Sequence, residues 1–315
     1  MNVVAVGLYL TVEQIDGWVY AIRIVHGLSE AILFTVLFTF AADWVPERRR
    51  TQGLALFGVA GMLPIALAGV LGDVILNRWE CDVFFMVAAG FALASLLLSV
   101  PLHDAPHLVE QPPARGFLAS ITGIHLLPLW WITFVFSFVL TAYFTFLKTF
   151  VNETGVGSVG LFFAFYAGTA VALRLTFGWV PDRVGPKRAL GPAMLFLAAG
   201  LVVLSGATTN AAVASAGILC GVGHGYTFPI LYALTVTRAR VAERGAAMAV
   251  YTGLFDVGTL VGGPVLGVAI RWFSYQTMFL STAAFVVVGL GLFAVWDREA
   301  LGVPLVSSPG GGGGP

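Results

Sequence analysis

Residues 83–102 read VFFMVAAGFALASLLLSVPL, twenty consecutive positions without an ionisable side chain. A helix rises about 1.5 Å per residue, so a segment of this length extends about 30 Å, the thickness of the hydrocarbon core of a bilayer. The segment is too long and too uniformly apolar for the alternating strand pattern of a membrane barrel. It therefore predicts a transmembrane helix.

Runs of the same kind recur from one end of the chain to the other. Hydrophobic residues make up 58% of the 315 positions and charged residues 10%, whereas about 25% of the residues in a soluble domain are charged. The nine complete runs are residues 18–42, 53–76, 83–102, 126–150, 159–180, 189–206, 211–236, 246–270 and 277–295. Residues 1–11 add an apolar stub. The sequence thus predicts an all-α membrane protein with nine complete transmembrane helices and an N-terminal stub.

The basic residues of the loops fall mainly on one side of the predicted membrane. One side has eleven: Arg48, Arg49, Arg50, Arg115, Arg183, Lys187, Arg188, Arg238, Arg240, Arg244 and Arg298. The other side has two, Arg78 and Arg271. Short cytoplasmic loops retain positive charge. We therefore predict a multi-pass protein of the plasma (inner) membrane with a cytoplasmic C-terminus.

The connecting segments divide the chain into two predicted helix bundles. Residues 103–125 form the longest loop and include HDAPHLVEQPPAR, so we expect a cytoplasmic linker there. Residues 1–102 are then the remainder of an N-terminal bundle, and residues 126–298 form a C-terminal bundle of six helices. Residues 299–315 end in a glycine-rich stretch that buries nothing, which predicts a disordered tail.

A loop motif follows the predicted span 159–180, where residues 178–188 read GWVPDRVGPKR. Glycine permits a tight turn, an acid is stabilised at the N-terminus of a neighbouring helix, and basic residues anchor a loop at the inner leaflet. The pattern resembles the loop motif of the major facilitator superfamily. It differs from that motif at two prolines, Pro181 and Pro186, and an ordinary positive-inside loop is the alternative interpretation. The matching residues are Gly178, Asp182, Arg183, Gly185, Lys187 and Arg188.

A second resemblance sets the register of the spans. Residues 23–27, RIVHG, resemble the R-x-x-x-G pattern of the fourth span of that family. This resemblance implies a two-bundle fold in which residues 1–11 are the end of the third span. It also implies an N-terminally truncated chain, without the two spans that would come before.

A third resemblance suggests a branch of the family. Residues 253–267, GLFDVGTLVGGPVLG, and residues 223–229, GHGYTFP, resemble spans of the arabinose-efflux and drug-proton-antiporter-like branch. The small residues of the first segment give smooth faces on which two bundles could rock, which predicts gating as well as helix packing; packing alone is the alternative. That set is Gly258, Gly262, Gly263, Pro264 and Gly267.

Ionisable residues inside spans cost about 2.5–3.5 kcal/mol each at the bilayer centre, so the few that occur indicate function. Arg23, His26 and Glu30 are spaced by three and four residues and form one stripe on a helix. We expect the stripe to face a central cavity, where Glu30 or His26 exchanges a proton and Arg23 holds the coupled charge. The alternative is a buried structural ion-pair network, or an Arg23 side chain that extends to the membrane surface.

The C-terminal bundle offers its own candidates. Asp256 shares a helical face with Thr252 and Thr259, and a carboxylate withdrawn from water holds a proton more readily than an exposed one. His224 is either a proton relay or an interhelical hydrogen-bonding group. Arg174 lies near the cytoplasmic end of its span, so we expect its side chain to extend to the membrane surface.

These features predict a secondary active transporter rather than an enzyme, without a cofactor. The leading hypothesis is proton-coupled efflux of a small organic molecule by alternating access; a proton symporter for a sugar or metabolite and a non-transporting fragment are the alternatives. No catalytic constellation, metal-ligand spacing or nucleotide-binding loop occurs in the sequence. The formal net charge of +0 gives no reason to expect nucleic acid as a partner. The expected partners are the lipid bilayer, the substrate and protons, and no obligate protein partner is inferred.

Overall fold

The computed structural model describes residues 1–62, 64, 71, 75, 78–103 and 116–302. Twelve α-helices are present in this described part of the chain. They are α1 (Asn2–Leu8), α2 (Gly17–Trp44), α3 (Arg50–Phe57), α4 (Cys81–Ser99), α5 (Phe117–Ile121), α6 (Leu127–Thr154), α7 (Val159–Phe177), α8 (Val180–Val184), α9 (Pro186–Ser205), α10 (Asn210–Arg238), α11 (Arg244–Trp272) and α12 (Tyr275–Gly302). Short 3₁₀ turns precede α3 and α11.

The described residues contain eight helices long and apolar enough to cross a membrane, one fewer than the nine predicted. These eight are α2, α4, α6, α7 and α9–α12, and each coincides with a predicted run. The remaining run, residues 53–76, begins in α3, and helix is described again at residues 59–62. Most of its later residues lie outside the described part of the chain.

The observed helices begin and end a few residues away from the predicted runs, because polar residues at their ends cap them. The Asp16 side chain accepts a hydrogen bond from the Trp18 amide at the start of α2, at 2.9 Å. Ser158 does the same for α7 and Thr209 for α10. Hydropathy marks the apolar middle of a span, whereas capping chemistry sets where its helix begins.

Two predicted non-helical segments are partly helical. The predicted linker, residues 103–125, contains the short helix α5, and the predicted tail begins inside α12, which continues to Gly302. Residues 117–121 and 299–302 contain no proline, so neither segment has a residue that prevents a helix. The rest of the tail, from residue 303, lies outside the described part of the chain.

Helices α6, α7 and α9–α12 form the better-buried of the two bundles. The middle of α10 is buried along most of its length between α7 and α9. On the other side of the bundle, α6 packs against α11 and α12. An aromatic cluster fills the space between these layers, with Tyr143 and Tyr166 in an edge-to-face arrangement at 5.6 Å.

The N-terminal part of the chain packs more loosely over its described residues. Tyr9 stacks on Phe85 at 4.9 Å, which brings the end of α1 against α4. The Ser29 hydroxyl lies 3.1 Å from the Asn2 side-chain oxygen and links α2 to α1. None of the residues of α4 is buried, although the helix is strongly apolar. A helix with these properties is stable where lipid rather than water covers its surface.

Close helix contacts in the C-terminal bundle require glycine at specific positions. A Cβ atom at Gly258 of α11 would lie 2.6 Å from the Ser137 Cβ and 2.9 Å from the Phe138 amide nitrogen of α6. The Ser137 hydroxyl, which donates to the Phe255 carbonyl at 2.7 Å, occupies the same space. A Cβ atom at Gly263, on the same helix, would meet nothing within 4 Å.

This difference predicts opposite effects of the same substitution. Gly258→Ala should lower the free energy of unfolding by about 1–3 kcal/mol, because the added methyl overpacks the α6–α11 contact. Gly263→Ala should be neutral or raise it by up to about 1 kcal/mol, because alanine favours helix and has free space. Thermal denaturation of the two variants in one detergent measures both effects, and equal midpoints would contradict the described packing.

Candidate functional site

A cavity of about 740 Å³ lies between the two bundles. Side chains of α2 line it from the N-terminal part, and side chains of α6, α7, α10 and α11 line it from the C-terminal bundle. Most of the lining is apolar or aromatic. The ionisable residues in the lining are Arg23, Glu30, Arg174, His224 and Asp256.

The cavity is closed at one end by direct contacts between the bundles. The Thr35 and Thr252 hydroxyls lie 3.1 Å apart, and the Tyr232 hydroxyl donates to the Phe38 carbonyl. An ion pair joins Arg244 to Asp43 at 3.3 Å. We call this the basic end; it also carries Arg50, Asp182, Lys187 and Arg238.

The hydrogen bonds and ion pairs described between the bundles all connect residues 35–58 with residues 174–252. Toward the other end of the molecule, the cavity lining continues to Arg23, in the first third of α2. No bond between the bundles is described there. Among the described residues, the contacts that close the cavity therefore lie at the basic end.

Asp182 of the loop motif closes part of the basic end. Its carboxylate accepts hydrogen bonds from the backbone amides of Thr51 at 3.1 Å and Gln52 at 2.8 Å, in the first turn of α3. This is the position expected of the acid of the motif, since the free N–H groups and the dipole of a helix N-terminus stabilise a negative charge. The C-terminal bundle thereby caps a helix of the N-terminal part.

The other residues of the motif shape the turn itself. Gly185 has a φ of 103°, a conformation that side chains with a Cβ rarely adopt, and Gly178 packs against the Arg174 carbonyl. Lys187 pairs with the buried carboxylate of Asp297. Arg183 lies over the Trp179 ring at 5.6 Å. Arg188 is exposed.

Of the three residues predicted to form a stripe on α2, two line the cavity and the third contacts Tyr9, which follows α1. Arg23 and Glu30 line the cavity. His26 lies between two partners, with its Nε2 3.6 Å from the Glu30 carboxylate and its Nδ1 3.3 Å from the Tyr9 hydroxyl. The Arg23 guanidinium is 5.7 Å from the centre of the Tyr9 ring. Tyr9 is thus a fourth member of the cluster, and its position before α2 gave no signal of this in the sequence.

Asp256, predicted on α11, lines the same cavity as Glu30. It lies one turn from Thr252, whose hydroxyl meets Thr35 of α2. His224, predicted on α10, is buried, and its Nδ1 is hydrogen-bonded to the Tyr166 hydroxyl of α7. The structure therefore brings Glu30, His224 and Asp256 to one cavity from three helices.

The prediction for Arg174 was wrong. Its side chain is 1% exposed and does not extend to a membrane surface. Its Nη1 donates to the Gly58 carbonyl at 2.7 Å, and its Nε donates to the Gly225 carbonyl at 3.1 Å. The position of the residue along α7 suggested an interfacial depth, but its direction around the helix points the side chain between the bundles.

The small residues of α11 pack mainly within their own bundle. Gly258 contacts Ser137 and Gly262 contacts Thr141, both on α6. A Cβ at Gly267 would lie 3.7 Å from the Phe146 ring, and Pro264 lies inside the unbroken helix α11. The described contacts account for Gly258 and Gly262 by helix packing.

The described residues contain no group of three His, Cys, Asp or Glu side chains that could hold a metal ion. What the site offers instead is a cavity between two helix bundles, with ionisable groups inside spans. This architecture defines a membrane transporter.

The chain belongs to the Major Facilitator Superfamily, whose family model matches residues 2–239 and 129–312. Proteins of this family are transporters and not enzymes. Membership agrees with the resemblance found in the loop motif and with the two-bundle arrangement.

Individual relatives are similar over most of this chain. The uncharacterized MFS-type transporter YhhS of Escherichia coli strain CFT073 is 24% identical over 295 residues, which cover 91% of this chain and 70% of that protein. The probable nitrate/nitrite transporter NarK2 of Mycobacterium tuberculosis is 28% identical over 280 residues, covering 84% of this chain and 67% of that protein. The chain thus spans about two thirds of the length of these curated relatives.

The fold matches solved transporters as well. The crystal structure of the human organic anion transporter MFSD10 superposes with a TM-score of 0.75 at 17% identity, covering 93% of this chain and 74% of that one. At this identity the match shows a shared fold.

The Asp182 contact predicts how the basic end responds to mutation. Asp182→Ala leaves the amides of Thr51 and Gln52 without acceptors, so the closed arrangement should lose about 1–2 kcal/mol. Spin labels at Arg48 and Arg240, both exposed, report the separation of the bundles when placed in a Cys81→Ser background. We expect a longer distance component in the variant.

Arg183→Ala is the matched control for this measurement. Arg183 is adjacent to Asp182, but its described contact is with Trp179 in its own bundle. Unchanged distances in Asp182→Ala, or an equal change in Arg183→Ala, would show that the cap does not hold the basic end closed.

Proposed function

We propose that this chain is a proton-coupled secondary transporter that exports a small organic molecule by alternating access, as the antiporter-like branch of the family does. The observation that supports this most directly is the shared cavity. Glu30 of α2 and Asp256 of α11 line it from opposite bundles. Carboxylates inside a membrane are costly unless they are protonated or compensated, which suits them to carry protons.

The asymmetry of the cavity fits an alternating-access cycle. The basic end would face the cytoplasm by the positive-inside rule, so the described state would be open to the outside of the plasma membrane. To open inward, the molecule must break the Asp182 cap, the Arg244–Asp43 ion pair and the Tyr232 hydrogen bond together. These contacts are few and polar, and polar contacts reform at low cost as the bundles move.

The His26 cluster offers a proton route toward Glu30. His26 lies within 3.6 Å of Glu30 and 3.3 Å of the Tyr9 hydroxyl, so a proton can pass between these groups with small movements. Arg23 lies on the same side of α2, with its guanidinium 5.7 Å from the centre of the Tyr9 ring.

Two alternatives differ in observable ways. A proton symporter would move protons in the same direction as substrate, whereas an exporter of the antiporter type moves them in opposite directions. The names of NarK2 and MFSD10 add nitrate, nitrite and organic anions to the substrates worth testing. A non-transporting protein would bind ligands without moving them across a bilayer.

Substitution of the two acids tests the proton coupling. In liposomes containing the purified chain and an internal pH dye, Glu30→Gln and Asp256→Asn should each reduce substrate-driven proton movement at least about tenfold, because neither amide can carry a proton. Asp82→Asn serves as the control, since Asp82 is exposed in the first turn of α4 and does not line the cavity.

The direction of the pH change separates export coupling from symport. Wild-type proton movement in both acid variants would reject Glu30 and Asp256 as the coupling residues. Substrate binding without any movement of substrate or protons by the wild-type chain would favour the non-transporting alternative.

A further inference from the structure

Arg174 is a buried cation at the closed end of the cavity. It lines the cavity, and its side chain is 1% exposed. Two of its nitrogens donate to backbone carbonyls, Gly58 on the N-terminal side and Gly225 on the C-terminal side. Its third nitrogen, Nη2, is buried and has no hydrogen-bond partner.

No acid neutralises this guanidinium within the described part of the chain. The ion pairs described there join Glu30 with His26, Asp297 with Lys187 and Arg238, and Asp43 with Arg244. Carbonyl oxygens carry only partial charge. The Phe228 ring, 6.0 Å from the guanidinium carbon, adds a cation–π attraction that is modest beside the cost of burying a full charge.

The titratable side chains described around Arg174 do not supply a negative charge either. Tyr166 of the same helix bonds to His224 of α10, and the Tyr251 hydroxyl of α11 donates to the Phe228 carbonyl at 3.1 Å. Histidine and a tyrosine that keeps its hydroxyl proton carry no negative charge. A positive charge in a membrane interior calls for a negative partner, and the cavity is the space from which one can come.

We propose that the closed end of the cavity binds the negatively charged group of a small organic anion through Arg174. The proposal rests on the proposed transport function and names the substrate class of that site. A guanidinium with a free N–H fits a planar carboxylate better than a point charge does, because the two groups can form paired hydrogen bonds.

The rest of the cavity matches an apolar body attached to that charged group. Phe38, Met62, Leu140, Phe144 and Phe228 line it. Its volume of about 740 Å³ falls within the roughly 300–1,000 Å³ of sites for small organic ligands. The substrate class is thus an organic anion whose charge lies at the basic end and whose apolar part lies toward α2 and α6.

The test measures ligand-dependent stabilisation of the full chain in detergent. Sodium benzoate is the anionic probe and benzamide its neutral isostere, both titrated at constant ionic strength. A ligand that binds the folded state raises the thermal midpoint by an amount that grows with the logarithm of its concentration divided by its Kd. We expect benzoate to raise the midpoint of the wild-type chain and benzamide to leave it unchanged.

Two substitutions connect the effect to the guanidinium. Arg174→Gln should weaken benzoate binding about tenfold or more, the loss expected for a charge-assisted hydrogen bond. Arg174→Lys keeps the charge without the planar fork, so it should retain part of the response. The lysine variant also keeps the test decisive if the glutamine variant does not fold.

Arg174 also bridges the bundles, so a variant that weakens closure alone is needed for comparison. Tyr232→Phe removes the hydrogen bond to the Phe38 carbonyl and leaves Arg174 in place. Its benzoate affinity should stay within about twofold of the wild-type value. Equal losses in Tyr232→Phe and Arg174→Gln would overturn the proposal, as would a wild-type response to neither probe or to both alike.

The outcomes separate this proposal from the proposed transport function. If benzoate binding depends on Arg174 but the Glu30 and Asp256 variants keep wild-type proton movement, the anion site is supported and the two acids are rejected as coupling residues. If neutral or cationic substrates drive proton movement that depends on the two acids, and benzoate has no effect, the coupling residues are supported and the anion site is rejected.

Discussion

A bilayer core offers no water to satisfy polar groups, and this constraint governs the architecture of the whole chain. It favours helices, whose backbone groups bond internally. Every other polar group needs a hydrogen-bond partner within the protein. The partners found here are often on the other bundle. The N-terminus of α3 is satisfied by Asp182, the Phe38 carbonyl by Tyr232 and the Gly58 carbonyl by Arg174. The same bonds that satisfy these groups close one end of the cavity.

Because the same hydrogen bonds pair these polar groups and close the cavity, the two bundles cannot separate at the basic end without exposing polar groups. Water must replace the lost partners as the end opens, and it can enter from the exposed loops beside that end. Breaking the hydrogen bonds between the bundles therefore costs free energy mainly while water is absent from the interface. A bundle interface of this kind tends toward two discrete states, either fully paired or fully hydrated, rather than a continuous range of openings.

The sequence predicted what depends on length and charge. Span positions followed from apolar runs, and the position of Asp182 followed from the physical sense of an acid in a loop between helices. The sequence did not predict what depends on rotation about a helix axis. Arg174 was assigned to the membrane surface from its depth alone, yet its side chain is directed between the bundles. Gly258 and Gly263 looked equivalent on α11, and only the position of Ser137 on α6 distinguishes them. Such details depend on partners more than a hundred residues away along the chain.

The cap on α3 has a consequence for the order in which the protein is made. The amide of Thr51 and the carboxylate of Asp182 are separated by 131 residues. At a synthesis rate of about 5–20 residues per second, α3 emerges from the ribosome roughly 7–26 seconds before its acceptor exists. During that interval the amides of its first turn need another hydrogen-bond acceptor, and water can serve as one. The first turn of α3 therefore acquires its cap only after Asp182 has been translated.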